Sequence, residues 1–301
     1  MSSRSRPSQG ALPMSSPDLS WTAPVMRAGY AGRGLVYLVI AGFALFAIAR
    51  GERAEGTGSA LEKLETSAWG LVVLALIAAG MAAYAVWRLV DAWFDLEDYG
   101  HEIKGVIARI GMVVTGLIHL AIGFAAAAVL FTRFDTDKPG SGSTIAEWTA
   151  KIMSLPAGIQ MVGIAGALTV GAGIYYTVKA VGRTYQDHLR SNTITRRWDW
   201  ILRLGVLGQA VVVTLIGAFL TYAAFTADPE HAGGLQKVFD WLNEQAFGPA
   251  LVAAVAVALV CFAIFCVVNA LYRIIPKVDG DSVESLSNWA QARMREATGR
   301  A

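Results

Sequence analysis

The sequence predicts an all-α, polytopic integral membrane protein. Six transmembrane helices form three parallel two-helix repeats, with short interfacial helices in the extracytoplasmic connections. Three observations carry this. Across 301 residues, 55% are hydrophobic and 16% charged, and the mean hydropathy of +0.48 is well above what a water-soluble domain requires. The apolar residues gather into six blocks of roughly 20 residues, the length at which a helix crosses a hydrocarbon core of about 30 Å. The triplets Arg27-Ala28-Gly29, Arg109-Ile110-Gly111 and Arg203-Leu204-Gly205 stand at or just before the first, third and fifth of these blocks, which makes the chain an internal repeat.

Residues 1–24 are rich in Ser and Pro, carry Arg4 and Arg6, and have no apolar core. They read as a disordered cytoplasmic tail with no cleaved signal peptide. The first apolar block, Ala31 to Ile48, then acts as a retained signal anchor, and Trp69 to Trp87 completes the first repeat, residues 25–100. The second repeat, 101–190, holds Val106 to Phe131 and Ile159 to Val178. The third, 191–276, holds Ile201 to Phe225 and Pro249 to Leu271, and a cytoplasmic tail follows over 277–301. Of the 25 Lys and Arg residues, 18 fall in the N-terminal stretch through Arg33, between Arg88 and Arg109, between Lys179 and Arg203, and from Arg273 onward. Such an asymmetry predicts that both termini are cytoplasmic. The basic clusters therefore read as topology signals. The small net charge of +2 hides this asymmetry, and no nucleic-acid partner is expected.

Inside each unit a Gly-containing connection leads into a short amphipathic stretch. Gly56-Thr57-Gly58-Ser59 precedes Ala60 to Leu64, Gly140-Ser141-Gly142-Ser143 precedes Ile145 to Trp148, and Gly233-Gly234 precedes Leu235 to Phe239. Apolar residues every three or four positions predict short helices, with Ser59 and Ser143 or Thr144 as N-caps. Trp69, Trp148 and Trp241 lie nearby, as in an aromatic belt, which places these helices in the outer interface. In the first helices a second small residue recurs at one spacing, Gly34, Gly116 and Ala210, and Gly123 matches Gly217. The second helices align more loosely: Gly80, Tyr84 and Arg88 against Gly171, Tyr175 and Lys179, and against Cys261, Phe265 and Asn269. Three like-oriented units predict a bundle with pseudo-threefold symmetry about the membrane normal.

The opening Arg27-Ala28-Gly29-Tyr30-Ala31-Gly32-Arg33-Gly34-Leu35-Val36-Tyr37 resembles the signature of a bacterial membrane family catalogued only as a domain of unknown function and made of tandem two-helix repeats. The resemblance covers nearly the whole chain between the tails. The second and third units keep the Arg, the Gly and the small residue but lose Tyr30 and Arg33. What the resemblance implies is a six-helix inner-membrane protein; no activity comes with it.

Ionisable residues inside apolar spans are costly, about 2.5 to 3.5 kcal/mol for Arg or Asp at a helix centre, and are functional candidates for that reason. His119 lies well inside the third block, where the first repeat has Tyr37 and the third Val213. An imidazole there offers a proton relay or a metal ligand. With no second His, Cys or carboxylate nearby in its helix, it reads as a neutral core histidine bonded to a neighbouring helix. Arg33, Thr115 and Gln209 occupy equivalent positions. Around a pseudo-threefold axis they would converge on a polar site with Tyr37 and His119, in which Arg33 suits an anion. The competing expectation is that Arg33 snorkels to the cytoplasmic headgroups.

Arg27, Gly29, Gly34, Arg109, Gly111, Gly116, Arg203 and Gly205 read as packing and topology elements. Arg88 and Asp91 are spaced to pair on one helix face. Asp95, Glu97, Asp98, His101 and Glu102 read as a solvated linker in preference to a divalent-cation loop. The stretch Arg190 to Arg203, with Trp198 and Trp200, reads as a membrane-surface anchor. Cys261 and Cys266 are five apart in the sixth block and read as small buried apolar residues. No metal site and no cofactor are expected.

A nucleophilic triad, a Walker loop, a dinucleotide fingerprint and an HExxH motif are all missing. The expectation is therefore a non-enzymatic scaffold or accessory subunit that packs against lipids of the bilayer or a membrane-protein partner, in an oligomeric state the sequence leaves open. The alternative is a channel or transporter for a small ion, proton or solute along the pseudo-threefold axis. A lipid-modifying enzyme comes third, because no paired acid and base appear in the interfacial connections.

Overall fold

The computed structural model describes residues 19–65, 67–132, 145–279 and 284–297. In chain order the helices are α1 (Thr22–Ala49), α2 (Thr57–Glu65), α3 (Ala68–Phe94), α4 (Ile103–Thr132), α5 (Ile145–Met153), α6 (Gly158–Val181), α7 (Thr193–Arg197), α8 (Asp199–Thr226), α9 (Leu235–Asn243), α10 (Gly248–Tyr272), α11 (Pro276–Asp279) and α12 (Leu286–Ala297). Six of them, α1, α3, α4, α6, α8 and α10, are long and apolar enough to cross a membrane. The protein is an all-α, multi-pass membrane protein. Helices α2, α5 and α9 occupy the expected connections within the three units.

The long helices outrun their apolar blocks. Helix α1 begins at Thr22, ahead of Ala31, and α3 runs past Trp87 to Phe94. The added turns bury Met26, Tyr30 and Asp91, so hydropathy alone does not mark where they end. Ser59 lies inside α2, which begins at Thr57, and so is not its cap. The hydroxyl that does cap a helix here is Ser67, whose Oγ accepts from the Gly70 N–H at 3.0 Å at the start of α3. Gly140 to Thr144 and residues 1–18 lie outside the described residues.

Side by side, the spanning helices run α4, α3, α1, α10, α8, α6. A threefold ring of two-helix units needs α1 on α3, α4 on α6 and α8 on α10 within units, and α3 on α4, α6 on α8 and α10 on α1 between them. Every one of these interfaces is present except that no packed interface joins α4 to α6 among the described residues. The ring is open at the second unit.

The glycines explain why. Within the first unit, a Cβ at Gly29 would stand 2.6 Å from Tyr84 Cα and one at Gly32 2.5 Å from Gly80 Cα. In the third unit Gly205 meets Cys261 at 2.6 Å and Gly208 meets Ala258 just as closely. Side chains at these points would push the backbones apart. The second unit has Gly111 but Val114 where the others have Gly32 and Gly208. A Cβ on Gly111 or on Gly171 would find nothing within 4 Å.

Packing also sets the register of the second helices. Gly34 faces the Ala263 carbonyl, Cys266 and Val267, and Gly116 faces the Ala85 carbonyl, Arg88 and Leu89. Gly123 against Met81 and Ala82 matches Gly217 against Thr169 and Val170. Arg88, Tyr176 and Cys266 are therefore equivalent, as are Asp91, Lys179 and Asn269. The alignment expected from sequence is shifted in the second and third units by three residues, nearly one helical turn, which is why the pattern of small and aromatic residues looked the same.

At the end where α1 begins and α10 ends, the segment after α10 folds over the loop before α7. Leu189 bridges Arg273 and Arg190 bridges Ser285, with backbone bonds from Ile274 N to His188 O (2.8 Å) and Leu286 N to Leu189 O (2.7 Å).

Candidate functional site

Arg33 sits on the face of α1 that meets both α3 and α10, and it is 5% exposed. Its Nη1 donates to Tyr84 Oη at 2.9 Å. The guanidinium lies over the rings of Phe262 (4.9 Å), Tyr84 (5.2 Å) and Tyr37 (5.8 Å), an aromatic seat of the kind that holds a desolvated cation. Tyr84 reaches it because Gly29 and Gly32 let α3 approach. No carboxylate pairs with Arg33 among the described residues, and its Nε has no hydrogen-bond partner. The expected snorkelling does not occur, because the aromatic side chains hold the guanidinium inside the helix bundle.

The other candidates gather unequally around it. Gln209 donates from Nε2 to Tyr37 Oη at 2.9 Å, while its Oε1 is buried without a partner. His119 donates from Nδ1 to the Thr115 carbonyl at 2.7 Å, a bond that fixes its neutral tautomer, and its ring lies 4.6 Å from that of Tyr84. Its polar bond is thus to its own helix, where one to a neighbour was expected; the neighbour contributes ring contact only. Thr115 turns back on α4, its Oγ1 donating to the Gly111 carbonyl at 2.7 Å, and does not join the group. Tyr176 and Cys266 lie within electrostatic range of Arg33. Side chains of α1, α3, α8 and α10 thus meet around Arg33, and His119 of α4 joins them through the Tyr84 ring.

A charged network closes this region toward the termini. Arg88 donates to Tyr84 Oη (3.1 Å), Tyr30 Oη (2.9 Å) and Asp91 Oδ2 (3.0 Å). Arg273 donates from Nε to Glu97 Oε1 at 2.8 Å and from Nη1 to Asn269 Oδ1 at 2.6 Å. Burial alone would raise the Glu97 carboxyl, but Arg273 and Arg88 outweigh it and hold the group far below the usual carboxylate range. The acidic connection is the solvated linker expected only in part: Asp98, His101 and Glu102 are exposed, but Glu97 and Asp95 are buried, and Asp95 accepts the N–H groups of Tyr99 (2.8 Å) and Gly100 (2.9 Å). Among the described residues no His, Cys, Asp and Glu side chains group as a metal site.

Of the repeated arginines, Arg109 serves a visible purpose. It donates to the Ala92 (2.6 Å) and Trp93 (3.1 Å) carbonyls at the end of α3, satisfying helix-terminal acceptors. Arg27 is exposed, and the Nε of Arg203 is buried without a partner. Sequence reasoning missed Glu97, Asn269 and Arg273 as a buried set. The available signal was Asn269 four residues before Arg273, on one helix face.

The family described as Domain of Unknown Function (DUF1206) matches residues 28–95, 110–183 and 204–273. The chain belongs to this family. Each DUF1206 match takes in one pair of spanning helices, and their ends at 95, 183 and 273 stand in the register that the glycine contacts set. The Uncharacterized protein YxxB of Bacillus subtilis (strain 168) is similar, 24% identical over 257 residues, covering 84% of this chain and 92% of that protein. No solved structure matches. Neither the DUF1206 description nor the relative's name assigns an activity.

Proposed function

We propose that the protein is a non-enzymatic accessory subunit of the bacterial inner membrane, both termini cytoplasmic, that takes a transmembrane helix of a partner protein between α4 and α6. The opening in the helix ring carries this reading. Two like units close their internal interface through paired small residues, and the second leaves the same interface unmade, with Gly111 and Gly171 free to receive another backbone. Helices α4 and α6 are also the least buried of the six, and small residues on unpaired faces are how helices associate in lipid. A photo-crosslinking residue placed at Gly111 or Gly171 in intact cells is expected to trap one discrete membrane protein, while the same residue at Gly34, inside the α1–α10 interface, traps none. Adducts with lipid alone would sink the proposal.

A second reading is favoured by the polar side chains that meet on the axis: a channel or transporter for a small ion or solute. It predicts that proteoliposomes carry a flux that Arg33→Ala and His119→Ala abolish while the variants still fold. Proteoliposomes without flux for protons, chloride or potassium would remove it.

A further inference from the structure

The side chains around Arg33 offer more hydrogen-bond donors than acceptors: Gln209 Oε1 is one unpartnered acceptor there, against the Arg33 Nε–H and the hydroxyl protons of Tyr84 and Tyr37. Tyr84 Oη already accepts two N–H bonds, from Arg33 (2.9 Å) and Arg88 (3.1 Å), which occupies both lone pairs and leaves its proton to donate elsewhere. Tyr37 Oη accepts from Gln209 and likewise keeps its proton. Arg33 Nε–H has no partner. The nearby carboxylates are committed. Asp91 is held by Arg88 and by the Glu97 N–H (3.2 Å), and Glu97 by Arg273. Arg33, Arg88 and Arg273 face Asp91 and Glu97 alone, so one positive charge is left without a counter-charge. Lys179 on α6, which has ring contact with Tyr175 and no ion pair among the described residues, adds a second. A cation excluded from water needs a counter-ion or loses much of its stability.

We propose that Arg33 binds a small anion on the pseudo-threefold axis, through its Nε–H and the Tyr84 and Tyr37 hydroxyls. The ligand is a compact monovalent group, either a free inorganic anion or the phosphodiester of an acidic phospholipid. This site does not rest on the accessory reading, and its test reads no partner.

The test is thermal unfolding of the whole protein, purified in a zwitterionic detergent with an organic sulfonate as the only anion. Titration is with chloride, with inorganic phosphate, and, in separate samples, with phosphatidylglycerol against phosphatidylcholine. The expected result is a saturable rise in midpoint with one of these. A free-anion site responds to chloride or phosphate, and a headgroup site to phosphatidylglycerol only.

Arg33→Gln is expected to invert in effect. Without ligand it is more stable than the native chain, because an unpaired buried charge has gone, and the rise on titration disappears. Tyr37→Phe keeps the charge and removes one donor, so it shifts the titration to about tenfold higher concentration. That variant decides the matter if Arg33→Gln does not fold. Arg183→Gln, on an exposed side chain, leaves the titration unchanged. A rise that follows ionic strength alone, or that survives both Arg33→Gln and Tyr37→Phe, overturns the proposal.

Discussion

Glu97 and Arg273 are separated by 176 residues along the chain, yet they form one buried pair whose two halves are not interchangeable with solvent. Removing one partner strands the other in a low-dielectric interior, at a cost of about 3 to 5 kcal/mol. Glu97→Gln or Arg273→Met alone is therefore expected to lower the unfolding midpoint sharply, and the double substitution to recover part of the loss, measured by thermal unfolding in detergent. Since the Glu97 carboxyl is lowered in the fold, the stability it contributes is complete above its unfolded value, about 4.3, and is lost only as pH falls further. His188 acts nearer neutrality. Burial lowers its imidazole from 6.5 to about 4, so its contribution is present above 6.5 and disappears as pH falls between those values. Stability measured across that window is expected to decline with acid, and His188→Gln to flatten the slope. Arg33 was legible as a costly residue in an apolar span. Its aromatic seat was not, because Tyr84 and Phe262 come from other helices, and which side chains meet is decided by the crossing of those helices.

Helix interfaces in this protein are specified by where small residues permit contact. Gly32→Val and Gly208→Val are expected to destabilise by more than the roughly 1 to 3 kcal/mol usual for overpacking, since the obstruction is the Gly80 backbone in one case and the Ala258 Cβ in the other, neither with a flexible end to yield. Gly111→Val is expected to leave folding intact, since nothing faces it. Yield and unfolding midpoint of the three variants check this together. The helices themselves could be read from apolar blocks and the units from the recurring Arg-x-Gly, but the opening could not be seen until packing gave each glycine a partner. Its signal was present in two residues, Val114 in place of the glycine at 32 and 208, and Leu168 in place of Gly80 and Ala258. Hydropathy scoring weighs valine and glycine as more or less apolar, whereas packing asks whether a side chain is there at all.

The basic loops lie at the end of the bundle where α1 begins and α10 ends, and the proposed orientation, with that end in the cytoplasm, has a direct test. With an impermeant thiol reagent on intact cells, Glu62→Cys is expected to label and Arg190→Cys to stay protected until the membrane is opened; both side chains are exposed. The reverse result would invert the orientation. The threefold plan was legible because three units share one spacing, and the break in it was not, because a missing contact leaves no motif. That plan also joins the two extremes of the chain: α1 packs on α10, and Phe262 completes the seat of Arg33. Of the six spans, α1 is made before α10, so its arginine is only partly enclosed until four more spans have followed and its neighbour arrives. Biogenesis of this fold is a matter of timing as well as of energy, since a chain halted before Gly248 holds Arg33 with Tyr37 and Tyr84 but without Phe262.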